Sequence, residues 1–132
     1  MSRVVGIDLG TTNSLVAYVK DGVPLVIRDR SGDALVPSVV SAAEDGTIYV
    51  GREAQRRLLT DAARTVYSVK RFMGKALADV QGEASLLPFR VGGPGDDAGG
   101  VVRIGLGARE FTPPEISAFI LRDLKHRAEA FF

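Results

Sequence analysis

Five residues near the start of the chain, Asp8, Gly10, Thr11, Thr12 and Asn13, are of the types needed to hold a phosphate and the cation that accompanies it. Gly10 can adopt backbone angles closed to other residues and lets a ligand approach the main chain, so the amides of Thr11, Thr12 and Asn13 can converge on an anion. The two threonine hydroxyls add donors. Asp8 stands at the mouth of the turn, where a carboxylate repels a bare phosphate but can hold a hard cation, or its water shell, that bridges to one. The combination points to a magnesium nucleotide. Asp, Gly and Thr are also common turn residues, so a bare Asp-x-Gly-Thr can equally be a hairpin turn without a ligand.

The neighbouring segments supply the frame. Val4 to Leu9 is an apolar run broken by Gly6, the pattern of a strand buried on both faces, and Leu15 to Val19 resumes strand-like residues after the turn. The glycine turn therefore leads into a strand rather than a helix, and no Gly-x-x-x-x-Gly-Lys-Ser/Thr string is present, which separates this site from both common phosphate motifs.

Composition excludes several other chemistries. The chain has 132 residues, 45% hydrophobic and 25% charged, as expected for a folded globular chain with a core of its own. Seventeen basic against sixteen acidic residues leave a net charge of +1, with no electrostatic footprint for nucleic acid or an anionic membrane. Without cysteine there are no disulfides or thiolate metal sites, and a single histidine, His126, leaves no histidine pair or zinc cluster. His126 stands among charged neighbours and reads as a surface helix residue. Arg3 is followed directly by a strand, with no leader pattern, and the apolar runs are too short to span a bilayer. A cytoplasmic location is the expectation.

Further along, Asp21-Gly22 marks a turn into a third antiparallel strand, Val23 to Ile27, giving a three-strand meander. A polar loop from Arg28 to Ala34 precedes Val36-Pro37-Ser38, a short strand at Val39 to Ser41, a turn at Asp45-Gly46, and a returning arm, Thr47 to Val50. Arg52 to Leu59 reads as a short helix, and Thr60 to Arg64 as a polar linker. Ala76 to Leu87 is helix and loop; Phe89 to Val91, Val101 to Ile104 and Glu110-Phe111 suggest a small meander. The glycine-rich stretch from Gly92 to Gly100 has no large apolar residue and reads as a mobile hairpin tip rather than a binding loop. The clearest helix follows: Thr112 caps it, Pro113 suits its first position, and Glu115 completes a capping box. Ile116, Phe119, Ile120, Leu124, Ala128 and Phe131 fall near one of its faces.

Gly6-Ile7-Asp8-Leu9-Gly10-Thr11-Thr12-Asn13-Ser14 resembles, almost letter for letter, the opening of the ATPase domain of the seventy-kilodalton heat-shock chaperones of the DnaK type. Val66 to Gly74, with Lys70-Arg71 and Gly74, resembles that family's Ile-Lys-Arg-x-x-Gly segment, and Phe111 to Ser117 extends the likeness. By residue type alone Lys70-Arg71 is a solvated basic pair on a helix. Two departures stand out: the Asn-x-x-Gly-x-Arg-x-x-Pro-Ser segment has Ala34 where the arginine belongs, and Asp61 to Arg64 replaces an Asn-Pro-x-Asn segment.

The resemblance implies an α/β chain with part of an actin-like, ribonuclease-H-like ATPase fold: the first β-meander of the first subdomain plus the smaller α/β subdomain inserted into it. Residues 1–132 then form a truncated N-terminal lobe, with about 1–35 and 111–132 in the core subdomain and about 36–110 in the insertion. It also implies ATP or ADP with Mg2+, phosphates lined by Gly10, Thr11, Thr12 and Asn13, the metal's hydration shell held by Asp8, and hydrolysis assisted by Lys70. Unfolded polypeptide clients and co-chaperones are the implied partners of a full-length parent, with neither nucleic acid nor membrane among them. The second phosphate hairpin and the adenosine pocket are missing, so the fragment is expected to be inactive alone. It is also expected to self-associate, through an open sheet edge or the apolar face of the last helix, left short of cover. Sugar kinases and actin-like filament proteins share the hairpin and form the second reading. A non-enzymatic interaction module is the third.

Overall fold

The computed structural model describes residues 3–92 and 102–132. Three antiparallel strands, β1 (Gly6–Leu9), β2 (Asn13–Lys20) and β3 (Val23–Val26), form the expected meander, with Asp8 opposite Leu15 and Tyr18 opposite Leu25. Asp21 and Gly22 both take positive φ, 52° and 80°, as a two-residue hairpin between right-twisted strands requires. A two-residue strand, β4 (Val36–Pro37), joins the start of β2, placing Pro37 opposite Asn13.

A second sheet has β5 (Val39–Ala42) between β6 (Ile48–Val50) and β7 (Thr65–Tyr67). A third has β9 (Arg103–Leu106) between β8 (Val91–Gly92) and β10 (Arg109–Phe111). The helix expected over Arg52 to Leu59 is α1 (Arg52–Arg56), continued as turns, and the polar linker winds into a short 3-10 turn at Ala62–Arg64. Lys70 lies in a second 3-10 turn, Val69–Phe72, and α2 spans Leu77–Ala84. The chain is thus mixed α/β with antiparallel sheets. Apart from Gly92, the glycine-rich stretch lies outside the described residues.

The last helix, α3 (Pro113–Phe131), begins as its sequence dictates. Thr112 Oγ1 accepts from the Glu115 N–H, and Glu115 Oε1 accepts from the Thr112 N–H at 2.9 Å. The Thr112 N–H, and after it the Thr112 hydroxyl, which donates to Glu115 Oε1 at 3.0 Å, hold the Glu115 carboxyl below its ordinary pKa. A carboxyl with a depressed folded pKa adds stability above its unfolded pKa, so this part of the cap weakens only as acid protonates Glu115 through the folded value. Thr112→Ala is expected to cost about 1 kcal/mol, read as a lowered urea midpoint at unchanged slope.

The expectation that the apolar face of this helix lacks cover is corrected by its packing. Ile116, Ile120, Leu124 and Ala128 are buried against the chain's own sheets, and only the end of the stripe, Phe131, is exposed. They join one core cluster with Val16, Val40, Val66, Phe72 and Ile104. The expectation that Val4 to Leu9 is buried on both faces is also corrected: Val4 is 89% and Ile7 42% exposed. Among the described residues β1 pairs only with β2, so its outer edge is open. An apolar run reports what a strand needs as cover, whereas cover itself depends on neighbours. No described helix is long and apolar enough to cross a membrane.

Candidate phosphate-binding hairpin

The β1–turn–β2 segment holds the first five candidate residues: Asp8 in β1, Gly10, Thr11 and Thr12 in the turn, and Asn13 at the start of β2. Gly10 is not among the glycines with positive φ, so the sequence argument from special backbone angles is corrected. The requirement is steric instead, because a Cβ at Gly10 would collide with the backbone carbonyl oxygen of Asn13. Thr12 and Asn13 are exposed and Thr11 is partly so, leaving this loop accessible. Asp8 is exposed too, and its pairing with Leu15 sets it on the sheet face opposite Ser14 and Val16, whose side chains are buried.

Lys70 comes from 61 residues away and donates from Nζ to the carbonyl of Leu9 at 2.9 Å. Two features deliver it there. Ser68 adopts a left-handed conformation, φ 55°, turning the chain out of β7 into the 3-10 turn. Val69 and Phe72, on either side of Lys70-Arg71, are buried and pin the turn beneath α3, where the Ser117 hydroxyl contacts Met73 Sδ at 3.3 Å. Lys70 is therefore solvated at its tip, as the basic-pair reading holds, yet directed at the hairpin by a buried base.

Two buried serines complete the turn and were not legible as site residues. The Ser38 hydroxyl donates to the Gly10 carbonyl at 2.8 Å, and the Ser38 N–H donates to the Thr12 carbonyl at 2.9 Å. Ser14 and Ser38 hydroxyls lie 2.8 Å apart. Pro37-Ser38 was a visible signal, since proline ends a loop beside a strand, but the partner of Ser38 depends on how β4 docks on β2.

The preceding loop is also tied down. Asp29 Oδ1 accepts from the N–H groups of Ser31 and Asp33, each at 2.8 Å, and Arg127 of α3 donates to the Asp33 carbonyl at 2.9 Å. The Asp33 N–H lowers the Asp29 pKa most; burial opposes it, and the Ser31 N–H with the charges of Arg127 and Arg52 keeps the net shift downward. Arg52 pairs with Asp33 at 3.3 Å, so arginines from α1 and α3 bracket the stretch where Ala34 stands.

Among the described residues no three His, Cys, Asp or Glu side chains gather as a metal site. A lone carboxylate beside amide donors suits a hydrated Mg2+ whose remaining ligands are water and phosphate oxygens, rather than a metal caged by protein.

An accessible glycine turn between antiparallel strands, backed by serines and met by a distant lysine, defines a candidate phosphate-binding hairpin in a mixed α/β chain. The Hsp70 protein family model matches residues 4–132, and the chain belongs to that family. It is 42% identical over 131 residues to the chaperone protein dnaK1 of Synechococcus elongatus and, at the same identity, to the chaperone protein DnaK 3 of a Synechococcus species. Each match covers 99% of this chain, which spans about one fifth, 20%, of the length of these relatives.

Proposed function

We propose that this chain is the N-terminal part of an ATP-dependent chaperone of the DnaK type, in which ATP binding and hydrolysis drive binding and release of unfolded polypeptide in concert with co-chaperones. The observation that carries the reading is the bond from Lys70 to the Leu9 carbonyl, since it brings the two family-like segments together at one turn. On this reading residues 1–35 and 111–132 belong to the core subdomain of an actin-like ATPase fold and residues 36–110 to its insertion. The cytoplasm is the proposed compartment. Backbone amides and hydroxyls of Thr11, Thr12 and Asn13 hold the phosphates, with Gly10 allowing the turn to close. Asp8 would hold the hydration shell of a Mg2+ bound with the nucleotide. The cation, when bound, neutralises phosphate charge. Lys70 supplies a positive charge from a rigid turn and orients the attacking water.

ATP-dependent release of an unfolded peptide by the full-length protein tests the reading. Hydrolysis without peptide release favours a kinase-like or actin-like relative, and release unaffected by ATP favours an interaction module.

The 132-residue chain alone is expected to bind ATP more weakly than the micromolar range, because one hairpin supplies only part of a phosphate clamp. It is also expected to self-associate through the β1–β2–β3 sheet, where Val19 is 67% and Val23 54% exposed. Calorimetry and light scattering check the two expectations; micromolar affinity contradicts the first, and a monomer at high concentration the second.

A further inference from the structure

Ser38 and Ser14 are 2% and 1% exposed, respectively. A hydroxyl in such surroundings is costly unless bonded, and an alanine there would carry no polar group to satisfy. The direction of the bonds follows from the atoms involved. The Gly10 carbonyl can only accept, so Ser38 donates its hydroxyl proton there. With that proton engaged, Ser38 Oγ accepts from the Ser14 hydroxyl. The result is a directed chain, Ser14 to Ser38 to Gly10, in which each bond polarises the next.

Ser38 also donates its backbone N–H to Thr12. One residue thus holds two carbonyls of the loop, those of Gly10 and Thr12. Each carbonyl shares a peptide unit with the following N–H, that of Thr11 and that of Asn13. A carbonyl drawn on by a donor leaves its own peptide N–H more positive, hence a stronger donor to an anion. Both N–H groups belong to residues assigned above to the phosphates.

We propose that Ser38 is a positioning residue for nucleotide binding, fixing and polarising the Gly10–Thr11 and Thr12–Asn13 peptides from behind the loop without touching the ligand. The role rests on the nucleotide reading above. It acts on donors that meet the phosphates of ATP and ADP alike, so it belongs to affinity rather than to the chemical step.

The test uses the full-length protein with Ser38→Ala, Ser38→Cys and Ser38→Thr. Cysteine keeps the volume with a much weaker donor, and it decides the matter where alanine fails to fold. Threonine keeps the hydroxyl. ADP affinity by calorimetry is expected to fall roughly tenfold in S38A and S38C, the size of one lost hydrogen bond of about 1.4 kcal/mol, and to be largely kept in S38T. Single-turnover hydrolysis at saturating ATP is expected to stay within about threefold of wild type. Without nucleotide, the Thr11 amide proton resonance is expected to move upfield in S38C, reporting lost polarisation directly, while that of Asn13, whose peptide keeps the Ser38 backbone N–H, stays in place as an internal control. Unchanged ADP affinity and an unchanged Thr11 amide shift in S38C, with wild type binding ADP, overturn the role of Ser38 alone. A loss confined to the hydrolysis rate overturns it as well. A wild-type protein that binds no ADP overturns the nucleotide reading itself, and this role with it.

Discussion

Replacing Lys70 by alanine in the full-length protein is expected to slow single-turnover ATP hydrolysis by roughly two to four orders of magnitude, the loss typical of a positioned charge in a transition state. Nucleotide affinity should change far less. The competing role is a strut, because Lys70 donates to the Leu9 carbonyl and could simply brace the hairpin. Magnitude separates the two. An exposed hydrogen bond of this kind contributes only about 0.5–1.5 kcal/mol to stability, so its loss lowers the unfolding midpoint slightly and leaves a folded site. A large fall in rate at nearly constant affinity therefore identifies the charge as acting on the reaction. Unchanged single-turnover hydrolysis would leave Lys70 as the strut alone.

Gly10→Ala is expected to damage both the hairpin and its ligand site. The added methyl meets the Asn13 carbonyl oxygen, a backbone atom at the first position of β2, so relief requires moving the strand rather than rotating a side chain. Overpacking of this sort costs about 1–3 kcal/mol. The same movement misdirects the amides of Thr11 to Asn13. Losing even one amide bond to a charged phosphate, at about 1.5–3 kcal/mol, weakens binding by roughly ten- to a hundredfold. Calorimetry with ADP and thermal unfolding measure the two effects together. Wild-type affinity in a normally stable G10A protein would show that the turn opens freely and that the collision does not govern the site.

These outcomes depend on different levels of the molecule, and so did their legibility. The strand–turn–strand around Gly10, the Asp21-Gly22 hairpin and the Thr112 to Glu115 cap were legible because each rests on residues within a few positions of one another. Local sterics and local hydrogen bonds suffice to specify them. The segment likeness around Asp8 and Lys70 likewise pointed to phosphate chemistry from sequence alone.

Tertiary structure decided what those segments do to each other. The bond from Lys70 to Leu9 and the bond from Ser38 to Gly10 span 61 and 28 residues, respectively. Neither spacing carries a periodic signal, because the intervening chain turns through several strands whose docking sets the distance. The reason for Gly10 also emerged only in three dimensions: its φ is ordinary, and it is the approach of Asn13 that excludes a side chain. Burial divided in the same way. The apolar stripe of α3 found its cover within the chain, while the apolar run from Val4 to Leu9 left Val4 and Ile7 exposed, since hydropathy records a preference for burial and only the packed neighbours satisfy it.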